Sequence, residues 1–243
     1  MSRYKLTLQY NGTEFFGWQI QLNERTVQGE LEKAAAKLNK GKRVVITGAG
    51  RTDTGVHALG QVCHFDLNTK LDTIALKSAI NGNLADDIRI MSVEQVNDEF
   101  HSRFDATSRY YVYQCYQGKN LLYGNQAWMI SEVDITKMNS VTQAIIGSHD
   151  FLSFAKFNED LDDTNCTILS AQWNKTNEML NFNIIGNRFL HHMVRYLVGT
   201  MIAIGMNKFS EDTFANLLQN PKKNVRIFKA PPQGLILEKV TYE

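Results

Sequence analysis

Cysteine is scarce. Cys63, Cys115 and Cys166 are the only three in 243 residues, and they stand far apart with no C-x-x-C spacing. An odd, scattered set argues against a disulfide framework and a cysteine zinc site, and it suits a reducing compartment. An excess of either charge is also missing. Lysine and arginine number 26 against 25 acids, a net charge of +1, so no global basic field announces a nucleic-acid partner. Phosphate binding would have to rest on local patches. Long apolar runs are absent too: the longest uncharged one, Tyr196 to Met206, is too short to span a bilayer. Met1 leads straight into patterned sequence, without the basic and apolar regions of a secretory leader. Together these absences predict a soluble, cytoplasmic chain with no membrane segment.

What is present is globular. Hydrophobic residues make up 43% and charged residues 21%, enough to bury one large core or two small ones. Tyr4, Leu6, Leu8 and Tyr10 alternate with polar residues, the period of a half-buried strand, and Asn11-Gly12 turns the chain. Thr26 is placed to cap a helix whose Val27, Leu31, Ala34 and Leu38 share a face. A strand over 44–47, a Gly-rich loop, a strand from His57 to Phe65, a helix from Asp72 to Ile80 and a strand from Ile88 to Val96 follow. The second half repeats the order. A strand carries Tyr111, Tyr113 and Cys115, and a helix runs from Asp134 to about Gly147. A hairpin joins Ile168–Trp173 to Leu180–Ile185 about Asn174-Lys175-Thr176-Asn177. A long helix over Phe189–Ile204, a short one from Ser210 and a strand from Leu235 to Tyr242 complete it. The expected fold class is α+β, with two ferredoxin-like β-α-β-β-α-β halves, 1–105 and 106–243, packed around a central cleft.

Residues 48–60 hold four glycines around Asp53. The run is not a Rossmann fingerprint, since Asp53 stands where the third glycine is needed, and no G-K-[ST] makes it a P-loop. By itself it could be a tight connection carrying a surface Arg-Asp pair. Its counterpart in the second half, though, is a short polar turn, Asn174 to Asn177, with neither carboxylate nor glycine. The long loop is extra to the scaffold, and such loops often carry function. The helix over Phe189–Ile204 is apolar on most faces yet carries Arg195. A buried guanidinium needs a carboxylate partner, and Asp53 is the candidate; the alternative is a helix-end arginine reaching solvent along its stem. His191 and His192 read as packing or backbone-bonding histidines, and no third ligand at a credible spacing makes a metal site. Tyr110, Tyr111, Tyr113 and Tyr116 could stack an unpaired base or simply pack. Two basic clusters stand out: Lys37, Lys40, Lys42, Arg43 and Lys222, Lys223, Arg226, Lys229.

At Gly50-Arg51-Thr52-Asp53-x-Gly55-Val56-His57-Ala58 the chain closely resembles the tRNA pseudouridine synthase A family. So do Tyr10-Asn11-Gly12-Thr13, Gly17-Trp18-Gln19, Thr26-Val27-Gln28, Phe100 to Tyr113, Phe189 to Arg195, and the ending Gly234-Leu235-x-Leu237, all in order along the chain. The resemblance implies a homodimeric isomerase acting on uridines of the tRNA anticodon stem and loop, with no metal and no cofactor. It assigns Asp53 as the catalytic carboxylate, nucleophile or base. Tyr111 becomes the active-site tyrosine that stacks the base and handles a proton. Arg195 becomes the partner of Asp53, and Arg51 the residue that helps extrude the base. Leu235 is expected to line the base and Lys222 and Lys223 to meet phosphate. Thr54, Ala85 and Cys166 depart from the family's common alanine, proline and arginine. Two other readings use the same residues: a non-catalytic RNA-binding module with two RRM-like halves, and a small-molecule hydrolase using Asp53. The second lacks the further acid or base that such hydrolysis usually needs.

Overall fold

The computed structural model describes residues 1–156 and 163–242. In chain order the elements begin with β1 (Ser2–Tyr10), α1 (Val27–Leu38), β2 (Thr47–Gly48), β3 (His57–Leu67), α2 (Thr73–Asn81) and β4 (Ile88–Val96). They continue with β5 (Ala106–Gln117), β6 (Trp128–Ile130), α3 (Ile135–Ala144), β7 (Gly147–Asp150), β8 (Asn165–Thr176) and β9 (Met179–Gly186). The last are α4 (Met193–Gly205), α5 (Glu211–Gln219) and β10 (Leu235–Tyr242). The class is α+β, with five α-helices among the described residues and both parallel and antiparallel strand pairs. Backbone contacts divide the chain into two compact units, Met1–Thr107 with the chain from Ile236, and Ser108–Leu235. The last strand, assigned on sequence to the second half, thus lies mainly with the first. Ile236 pairs with His57 and Leu237 with Ala58, in parallel.

In the first unit β1 runs antiparallel to β3 on one side and to β4 on the other. The predicted alternation holds: Tyr4, Leu6, Leu8 and Tyr10 are buried, and Leu6 faces Cys63 and Val93 on the neighbouring strands. Helix α1 begins where Thr26 caps it, its side chain accepting from the Gly29 amide, a contact worth about 1 kcal/mol. The helix buries Val27, Leu31, Ala34 and Ala35, of which the larger Val27 and Leu31 contribute about 2 kcal/mol each. The strand expected over 44–47 shrinks to Thr47–Gly48. Val44 and Ile46 are buried and Val45 exposed as a strand requires, but side chains of α1 replace the ladder. The Ile46 amide donates to Glu32 Oε1 and its carbonyl accepts from Gln28 Nε2.

In the second unit β9 pairs antiparallel with β5 and β8, and β8 with β7. Tyr111, Tyr113 and Cys115 of β5 are buried, so the tyrosine crowding serves packing at two of its members. The hairpin turns two residues later than the sequence suggests. Thr176 pairs with Met179, leaving Asn177-Glu178 as the loop, with Asn177 at φ +53°. The turn therefore does contain a carboxylate. Helix α3 stops at Ala144, short of Gly147, which opens β7 instead. Helix α4 also starts late. His192 sits in the left-handed region at φ +63°, which a right-handed α-helix cannot pass through, so His191 and His192 form a turn, closed by the Met193 amide on the Leu190 carbonyl, and the helix proper begins at Met193. From there every residue to Gly205 is buried except Tyr196.

Candidate active site

The Asp53 loop leaves β2 and returns as β3, and the first unit holds it along its length. The Ala49 amide donates to the Val62 carbonyl (2.7 Å), and Gln61 Nε2 donates to the Gly50 carbonyl (3.1 Å). The Thr52 carbonyl accepts from the Trp18 amide (3.1 Å), and the Thr52 and Tyr10 hydroxyls bond at 2.8 Å. The Asp53 carbonyl accepts from the Val56 amide (3.2 Å), and the Gly55 amide donates to the Phe15 carbonyl (3.2 Å). Thr52 and Val56 are buried, Asp53 is half-buried, and Arg51 and Thr54 are exposed. The result is a carboxylate presented from a backbone fixed on either side of it, with an exposed arginine two residues before.

A second layer of contacts backs the loop. His64, on β3 beside β2, accepts through Nδ1 from the Ser102 amide (3.1 Å), while the Ser102 hydroxyl donates to the Thr47 carbonyl (2.8 Å). Burial, with His101 and Arg3 nearby, lowers the His64 pKa to about 4, so the ring is neutral near pH 7. His57 Nδ1 accepts from the Gly12 amide (3.0 Å) at the loop's far end.

In the second unit Tyr111 is 8% exposed and meets the Phe189 ring edge-on, with centroids 5.3 Å apart. Arg195 is 7% exposed, so it does not reach solvent along its stem. Its Nε donates to the Ala230 carbonyl and its own carbonyl accepts from the Ala230 amide, both at 2.9 Å. The segment leading to β10 is fixed further by the Tyr113 hydroxyl, which donates to the Pro231 carbonyl (2.7 Å). Leu235 follows, 6% exposed. The His191 and His192 carbonyls accept from the Lys156 and Tyr196 amides. Lys222, Lys223, Arg226 and Lys229 are all exposed, and the Lys222 amide is anchored on the Ser153 hydroxyl at 2.9 Å. The other basic cluster is weaker than its composition suggests, because Arg43 pairs with Glu32 at 3.0 Å. Cys166, in place of an expected arginine, is buried, and burial pushes its thiol up to about 11. No helix among the described residues is long and apolar enough to cross a membrane.

A family model described as tRNA pseudouridine synthase matches residues 7–105 and 141–243. The tRNA pseudouridine synthase A of Geobacillus sp. is 41% identical over 99% of this chain and 98% of its own length. That of Ehrlichia chaffeensis is 41% identical over 99% and 100%, and that of Listeria monocytogenes serotype 4a is 40% identical over 100% of both. The chain belongs to the tRNA pseudouridine synthase family.

Gly12 and Gly17 stand in motifs shared with this synthase family, and the structure gives each a physical reason. A Cβ on Gly12 would overlap the Val56 carbonyl oxygen. Gly17 has φ +83°, and a Cβ there would come within 2.7 Å of the Thr52 carbonyl oxygen. Both glycines are therefore needed so that the segment after β1 can lie against the Asp53 loop. The signal was Asn11-Gly12 and Gly17-Trp18 lying close after a strand, but nothing in a single sequence says which distant loop they touch. Tyr10 and Thr52 stand in motifs that carry the resemblance and Gln61 is a plain strand position, but nothing in the sequence joins the three.

Proposed function

We propose that this chain isomerises uridine to pseudouridine in the anticodon stem and loop of tRNA, with Asp53 as the reacting carboxylate. The observation that carries this reading is family membership over most of the chain, together with a half-buried carboxylate held on a fixed loop. In the reaction the C1′–N1 bond breaks, the uracil turns, C5 bonds to C1′, and the proton on C5 is lost while N1 gains one. No electrons are exchanged, so the step requires no redox partner. Asp53 can add to the sugar or take a proton from it. A base must leave its stack to react. Exposed Arg51 suits its extrusion, Tyr111 the stacking wall and proton handling, and Leu235 an apolar contact. Arg195, by family resemblance, is the cation that pairs with Asp53. Lys222 and Lys223 would meet phosphate, which makes affinity fall with salt. Action as a homodimer in the cytoplasm belongs to the same reading. So does the finer fold, two ferredoxin-like halves, supported in the first unit by the order β4-β1-β3-β2 with every pair antiparallel.

The test is direct. Purified protein incubated with unmodified tRNA, without added metal or coenzyme, should form pseudouridine in the anticodon stem and loop. Bound tRNA recovered with every uridine unchanged would favour an RNA-binding module instead.

A further inference from the structure

Under the Asp53 loop lies a polar network that the assigned chemistry does not use. Tyr10 ends β1, Thr52 precedes Asp53, and Gln61 stands on β3; Tyr10, Thr52 and Gln61 are 4%, 7% and 0% exposed. Gln61 Nε2 donates to the Gly50 carbonyl at 3.1 Å and to the Tyr10 hydroxyl at 3.4 Å, while its Oε1 accepts from the Val62 amide. Having accepted from Gln61, the Tyr10 hydroxyl is free to donate its own proton to Thr52 Oγ1, 2.8 Å away. The Tyr10 ring is fixed in turn against Phe15 and Trp18, whose backbone groups bond to Gly55 and Thr52. Burial pushes the Tyr10 pKa up to about 12, so its proton stays in place over the working range of pH.

Buried hydroxyls and amides are costly unless satisfied. An apolar trio would hold the loop to β1 and β3 by packing alone. Side-chain hydrogen bonds do something that packing does not: they fix direction. The Tyr10–Thr52 bond sets the rotation of the residue next to Asp53, and the Gln61–Gly50 bond sets the loop three residues before it.

We propose that Tyr10, Thr52 and Gln61 are positioning residues that aim the Asp53 carboxylate at the reacting sugar. None of them need touch substrate. The inference rests on Asp53 being the reacting carboxylate. Misplacing a reacting group by about 1 Å costs on the order of a hundredfold in rate, so loss of one hydroxyl should appear in turnover and not in tRNA affinity.

The experiment compares Thr52→Val, Thr52→Ser and Tyr10→Phe with the unaltered protein, measuring kcat, KM, tRNA affinity and thermal midpoint; Asp53→Asn runs alongside. Thr52→Val keeps the side chain's shape and removes its hydroxyl. It should lower kcat by about ten- to a hundredfold, with KM and tRNA affinity within about twofold. Thr52→Ser should restore most of that loss, and Tyr10→Phe should reproduce it. If Thr52→Val does not fold, Tyr10→Phe, which leaves the loop's sequence intact, decides the matter alone. A lowered midpoint with unchanged kcat per folded molecule would overturn the proposal, leaving the network a merely structural one. So would a Thr52→Ser variant as slow as the valine. Turnover by Asp53→Asn would overturn the reading on which the inference rests, and is distinguished because it does not depend on either hydroxyl.

Discussion

His64 shows how a single buried side chain makes this fold sensitive to acid. Its ring is held neutral chiefly by burial, with His101 and Arg3 nearby adding to the effect, against weaker opposing pulls from Asp66 and Asp105. Its Nδ1 must accept from the Ser102 amide, which a protonated ring cannot do. The folded pKa is about 4, whereas an unfolded histidine titrates near about 6.5. Between those values the unfolded chain binds more protons, so stability falls as pH drops through this window and levels off below it. Urea denaturation at a series of pH values should show that slope, and His64→Gln should flatten it. An unchanged slope in the variant would assign the acid sensitivity elsewhere. The carboxylates of Asp66 and Asp87 act lower. Hydrogen bonds from Arg3 and Arg25 respectively hold both below their ordinary range, so their contributions disappear only in stronger acid.

At the scale of elements, the turn after β1 is as much part of the candidate site as the Asp53 loop, since Gly12 and Gly17 lie against it. Gly17 occupies a conformation that costs an L-residue about 1–2 kcal/mol, and it also lies against the Thr52 carbonyl. Gly17→Ala should therefore lower stability by about 1–3 kcal/mol, and should cost turnover beyond the fraction unfolded because the loop must shift. A thermal melt paired with active-site-normalised rates checks both, and a fully active variant with a normal melt would show that the loop does not need the close approach. Most elements were legible because their signals are local: the alternation of Tyr4 to Tyr10, the Thr26 cap and the apolar stripe of α1 each lie within a dozen residues. The misses have tertiary causes. Val44 to Ile46 alternate as a strand but spend their backbone bonds on Glu32 and Gln28. The start of α4 is set by the left-handed backbone of His192, which nothing in its neighbours' apolar pattern reveals. Strands β6 and β7, three and four residues long, are too short to display a period.

For the molecule as a whole, a net charge of +1 gives no global field for tRNA, and the proposed function leaves phosphate to local cations such as the exposed Lys222 and Lys223. The family was legible because its motifs recur in order from Tyr10 to Leu237, and Asp53 is the proposed reacting carboxylate because Gly48 to Gly60 departs from what a scaffold needs. The residues that hold it were not legible, since Tyr10, Thr52 and Gln61 become neighbours only once β1, the loop and β3 are assembled. In the proposed function Asp53 does the chemistry while the rest of the chain binds and presents the tRNA. Asp53→Asn keeps the size of the side chain and removes its charge and basicity. Measured on purified protein with unmodified tRNA, this variant should bind tRNA with an affinity within about twofold to threefold of the unaltered chain, since phosphate contacts dominate binding. It should form no pseudouridine even at enzyme concentrations above that of the tRNA. Stoichiometric or catalytic formation of pseudouridine by Asp53→Asn would contradict the account.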